Sequence, residues 1–126
     1  MQTAAIIMAI VQVLVALFQL ALVIGAPMGE YAFGGQNVGK LPSRLRVGSA
    51  VSFIVLLAIA GHYLAQAGVF TSLLPSSLNS IANWVLVGFN VLGLIMNSIS
   101  RSKKERNMWV PVLLLSVVLA VIVALG

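Results

Sequence analysis

Cysteine is absent from this 126-residue chain, which rules out disulfides, thiolate metal sites and thiol nucleophiles. Histidine occurs once, as His62. No second histidine or carboxylate stands at ligand spacing, so no metal site is expected. Acidic residues number two, Glu30 and Glu105. Serines are common, but no base is placed to activate one, so no nucleophilic catalysis is expected either. Charged residues make up 7% of the chain, where soluble domains carry roughly a quarter. No cofactor motif appears: the glycines lack the Gly-Lys-Ser/Thr ending of a phosphate loop, since Gly39-Lys40 runs into Leu41.

What is abundant is apolar sequence, at 61% of residues. It falls into four runs, Thr3–Ala26, Val47–Phe70, Ile81–Ile99 and Met108–Leu125. A spanning helix needs about 20 apolar residues rising about 1.5 Å each, and each run is long enough. The fold expected is an all-α, four-helix transmembrane bundle in one domain. Its helices fall at about 3–26, 47–70, 81–99 and 108–125, alternating up and down, with a Gly-rich loop at 27–43.

Every charged residue lies in one of two segments, between the first and second runs or between the third and fourth. The seven basic ones are Lys40, Arg44, Arg46, Arg101, Lys103, Lys104 and Arg106. Basic residues near helix ends are retained in the cytoplasm, so both segments are expected inside and both termini outside. The one-sidedness argues against dual topology. The expected location is a plasma (cytoplasmic) membrane. No basic residue precedes the first run, and its apolar stretch exceeds a signal-peptide core, so it reads as a retained helix. A net charge of +5 placed at membrane edges points to anionic headgroups rather than nucleic acid.

The connections carry their own signals. Pro27 disfavours helix at Ala26 and is expected to end the first helix. The serines and asparagine of Ser76-Ser77-Leu78-Asn79-Ser80 are natural caps for the third. Ser102-Lys103-Lys104-Glu105 matches a capping box, which would place Pro111 inside helix four. With Asn107 as cap, Pro111 would fall in the first turn. Both starts fit. Trp84 and Trp109 stand where interfacial aromatic anchors belong.

Three of the runs carry polar stripes. Asn83, Asn90 and Asn97 are seven apart, and seven residues turn a helix by roughly 700°, so they share a face. Gln12 and Gln19 repeat the spacing in the first run. Ser49, Ser52, Tyr63 and Gln66 share a face of the second, with His62 at its edge. Unpaired amides in hydrocarbon are costly, so the stripes are expected to face one another. They act either as interhelical glue or as the wall of a pocket for a small polar solute or lipid headgroup. In the pocket reading the ligand or pathway residues are Gln12, Gln19, Ser52, Tyr63, Asn83, Asn90 and Asn97, with Glu30 at the mouth. Helix four, with only Ser116 in its interior, is expected to support them or to face lipid or a partner. No acid or base lies in mid-run, which argues against proton-coupled antiport.

The loop mixes glycines with Tyr31 and Phe33, unlike a merely solvated linker. Glu30 either pairs with Arg44, Arg46 or the second basic turn, or contacts a ligand with Gln36 and Asn37. In size and four-helix organisation the chain resembles small multidrug transporters, though it has Gln12 and Gln19 where they use a membrane glutamate. It is similar in size to dimeric fluoride channels, whose antiparallel assembly conflicts with one-sided charge. Neither resemblance extends to a motif. The function expected is binding or passage of a small polar solute or headgroup. The alternative is a non-catalytic accessory subunit, with a homo-oligomer or a larger membrane partner open.

Overall fold

A computed structural model describes residues 1–126. The chain is all-helical, with α1 Gln2–Val23, α2 Ser43–Gln66, α3 Ser76–Ser98 and α4 Lys103–Leu125, and two 3₁₀ turns, Gly29–Tyr31 and Phe33–Gly35, between α1 and α2. All four long helices are long and apolar enough to cross a membrane. Both charged segments lie at one end of the bundle, the basic end. The termini and the α2–α3 turn lie at the other, the neutral end.

Caps, rather than the limits of the apolar runs, set the helix ends. α1 stops at Val23 because Gly25 takes φ +97°. That conformation lets Gly25 N donate to Leu22 O and Ala26 N to Ala21 O, the Schellman pattern. Pro27 therefore does not terminate α1; the glycine before it does. α2 closes in the same way through Gly68, short of the end of its apolar run. The N-cap of α3 is Pro75, with no side-chain cap bond. The turn's polar groups bond one another instead, Asn79 Nδ2 donating to Ser72 Oγ at 2.8 Å. α4 takes the earlier of its two starts. Ser102 Oγ accepts from Glu105 N at 3.1 Å, and Pro111 lies inside the helix, leaving the Asn107 carbonyl without its helical donor.

The helices pack as an open ring. α1 lies along α2 and also against α4, and α4 lies along α3. Small residues allow the first contact: Ala5, Ala9 and Ala16 are buried on α1, where they let a neighbour's backbone approach closely. Opposite them, Ser49, Leu56 and Tyr63 form a buried row at seven-residue spacing on α2. The main core gathers at the neutral end around Met8, Tyr63, Leu119, Ala120 and Val123.

α2 and α3 meet only at the neutral end. There His62 Nε2 lies 2.7 Å from Asn83 Oδ1, and Asn83 Nδ2 donates to Gln66 Oε1 at 3.1 Å. Toward the basic end the two helices part. Of the two roles expected of α4, the structure supplies the supporting one. α4 is not the peripheral helix, because Ser116, Leu119, Ala120 and Val123 bury one of its faces. α3 is the most exposed, with Asn83 and Asn90 its only buried residues.

Candidate functional site

The gap between α2 and α3 opens onto a cavity of about 670 Å³ lined by 24 residues, 14 of them hydrophobic. Its flanks are open: Val51, Val55, Phe89, Leu92 and Met96 line it and are each at least 44% exposed. The cavity runs from mid-helix to the loop at the basic end.

Polar groups reach it from all four helices. Gln12, Gln19, Ser52, Asn90 and Asn97 line it, joining five of the residues expected to share a site. α1 and α3 run in the same direction, so their two seven-residue spacings set parallel steps of about 10 Å down the wall. Gln12 and Asn90 stand deep, with Gln19 and Asn97 nearer the basic end.

The hydrogen bonds define what these groups present. Asn90 Nδ2 donates to Leu86 O and Asn97 Nδ2 to Gly93 O, both at 2.8 Å. Each bond fixes the amide's orientation, since an amide oxygen facing that carbonyl would be repelled. The Asn90 and Asn97 oxygens have no protein donor. Gln19 Oε1 is buried with no partner, and Gln12 makes only a long Nε2–Met8 Sδ contact of 3.8 Å.

The remaining three candidates lie elsewhere. Tyr63 is fully buried in the core at the neutral end, with its hydroxyl unpartnered. Asn83 belongs to the clasp with His62 and Gln66. Glu30 sits on the surface of the basic end, its carboxylate 3.0 Å from Lys104 Nζ, so of its two readings the structure supplies the ion pair. Among the basic residues expected to meet anionic headgroups, Arg46 donates to Val23 O at 2.9 and 2.7 Å. This caps the carbonyl end of α1. Arg106 donates to Ser100 O. Lys40, Arg44, Arg101 and Lys103 are exposed at the basic end.

Sequence reasoning missed Glu105. It is 6% exposed, its Oε2 has no hydrogen-bond partner, and it lines the cavity. The capping box forms by half. Ser102 caps Glu105 N, but Ser102 N bonds Ser100 Oγ at 3.2 Å, so the Glu105 carboxylate is left free. A carboxylate taken from water without a partner costs several kcal/mol, and this one stands in the first turn of α4, where the helix dipole favours negative charge. The signal lay in spacing: Glu105, Trp109, Val112 and Ser116 follow i, i+4, i+7, i+11, one face of a helix, and all four line the cavity.

Trp109 is half-buried and lines the cavity as well. Its indole Nε1 donates to Tyr31 O at 2.6 Å, and its ring meets Phe18 edge-to-face at 4.8 Å. The loop is held against α4 by this bond and by Ser102 Oγ donating to Glu30 O at 2.8 Å. Gly35, at φ +71°, passes so close to Ser102 that a Cβ would collide with it. Phe33 holds φ +50°, a conformation costly for a bulky side chain, and its ring lines the cavity mouth beside Gly48.

Comparison with protein-family models, curated proteins and solved structures finds no match for this chain.

Proposed function

We propose that this is an integral membrane protein that binds an amphipathic molecule, a lipid or lipid-like solute, in the cavity between α2 and α3. The observation that carries the reading is the combination of an apolar, laterally open cavity with buried polar groups that no protein atom satisfies. Interhelical glue accounts for Asn83, which bridges helices. It does not account for Asn90 or Asn97, whose bonds stay within α3, or for the orphaned Gln19 oxygen. A buried polar atom such as the Gln19 oxygen is normally paired, and a bound head group would pair it together with the free Asn90 and Asn97 oxygens.

The basic end is read as cytoplasmic from its seven basic residues, with both termini on the far side of a plasma membrane. In that setting the α2–α3 gap faces the bilayer, and a ligand enters sideways without crossing water. Lys40, Arg44, Arg101 and Lys103 meet anionic headgroups at the surface. No group in the cavity is placed as a nucleophile with a base, so the role is binding or passage rather than catalysis.

Native mass spectrometry of the protein released from its own membrane tests this. A stoichiometric small-molecule or lipid adduct is expected, lost in Asn90→Leu and kept in Ser98→Leu, whose exposed hydroxyl bonds only Leu94 O. A bare protein, or one carrying only another polypeptide, would contradict the reading and favour an accessory subunit.

A further inference from the structure

We infer that the cavity recognises the protonated amine of its amphipathic ligand, with the Glu105 carboxylate as counter-charge and Trp109 and Phe18 as an aromatic wall. This rests on the binding reading above and specifies the chemistry of the head group.

Charge separates the possible head groups first. Glu105 is the only charged residue lining the cavity, although seven basic residues crowd the same end of the bundle. Those nearest in sequence are turned away. Lys104 is paired with Glu30, and Arg106 donates to the Ser100 carbonyl. No cation lies within salt-bridge distance of Glu105. An anionic head would enter a chamber whose single charge repels it, whereas a cation would neutralise a carboxylate that the protein leaves unpaired.

Hydrogen-bonding capacity points the same way. The buried vacancies of the cavity are both acceptors, Glu105 Oε2 and Gln19 Oε1, and the Asn90 and Asn97 oxygens also lack a protein donor. Buried acceptors left without a partner favour a ligand that brings N–H groups, as a primary ammonium does. The aromatic geometry agrees as well. Trp109 stands one turn from Glu105 on the same face of α4, and ring faces attract cations most strongly where water is excluded. The apolar majority of the wall accepts the ligand's hydrocarbon body.

The test is calorimetric titration of the full-length protein in dodecyl maltoside with octylammonium, using octanol as the neutral control. Wild type is expected to bind octylammonium saturably and at least about tenfold more tightly than octanol. Octyltrimethylammonium, which keeps the charge but has no N–H, should fall between. Glu105→Gln should lose about tenfold in octylammonium affinity and leave octanol unchanged. Equal binding of octanol and octylammonium by wild type would overturn the ammonium inference while leaving the cavity reading intact. No binding of any of the three would overturn both. The comparison of ligands on wild type decides the matter even if Glu105→Gln fails to fold. Native mass spectrometry then separates the sources: an aminophospholipid adduct or a free-amine adduct supports the inference, and an exclusively anionic-lipid adduct in the cavity contradicts it.

Discussion

The amide of Glu105 donates to the Ser102 hydroxyl at 3.1 Å, and the Glu105 carboxylate does not return the bond to the Ser102 amide. This one-sided cap starts α4 and at the same time frees a carboxylate to line the cavity. Ser102 does a second task, because its hydroxyl donates to Glu30 O and ties the loop to α4. Ser102→Ala should therefore cost about 0.5–2 kcal/mol, the range for losing an N-cap, and should loosen the loop as well. Thermal unfolding in detergent would register a lower Tm, and proteolysis would speed at 27–43. Ser98→Ala, which removes an exposed hydroxyl bonded within its own helix, should leave both unchanged.

The clasp between α2 and α3 makes a separate prediction. His62, Asn83 and Gln66 supply the only side-chain bonds joining these two helices. A double-mutant cycle of His62→Phe and Asn83→Leu should show a coupling of about 0.6 kcal/mol, at most about 1.7. Additive effects would mean that the clasp does not hold the neutral end together.

Glycine substitutions should separate close approach from chain flexibility. A Cβ at Gly35 would collide with Ser102, and one at Gly29 with the carbonyls of Asn37 and Gly39. Alanine at either position should destabilise the docked loop. Gly61 and Gly88 lie within helices, and a Cβ at either would meet no atom within 4 Å. Alanine there should raise stability by roughly 0.5–1 kcal/mol. Chemical unfolding of the four variants would rank them.

The number of the helices and their capacity to span were legible in the apolar runs, because a spanning helix needs about 20 apolar residues at a 1.5 Å rise. The alignment of Gln12 with Gln19 and of Asn90 with Asn97 followed from their seven-residue spacing. Two things were not legible. The Gly25 and Gly68 stops lie inside apolar runs, where hydropathy is blind to a left-handed residue. The role of Glu105 was hidden because its local pattern matches a capping box, and only the local bond from Ser102 N to Ser100 Oγ shows that half of the box is taken by another partner. The inclusion of α4 in the cavity was readable from Glu105, Trp109 and Ser116. It was obscured by starting the helix at its apolar run.

Orientation is testable because the chain has no native cysteine. Single cysteines at Gln36 and Ser77, at opposite ends of the bundle, should react from opposite sides of the membrane with an impermeant maleimide. Gln36→Cys is expected to label only after permeabilisation, and Ser77→Cys in intact cells. The reverse pattern would invert the proposed topology.

The most direct test of the central claim is photolabelling in the native membrane with a diazirine-bearing alkylamine, followed by mapping of the labelled residues. A binding cavity predicts label on Ser52, Val55, Phe89 and Gly93, which flank the α2–α3 gap, and its displacement by excess octylammonium. Label spread evenly over outward residues such as Val85 and Leu114, without displacement, would contradict it.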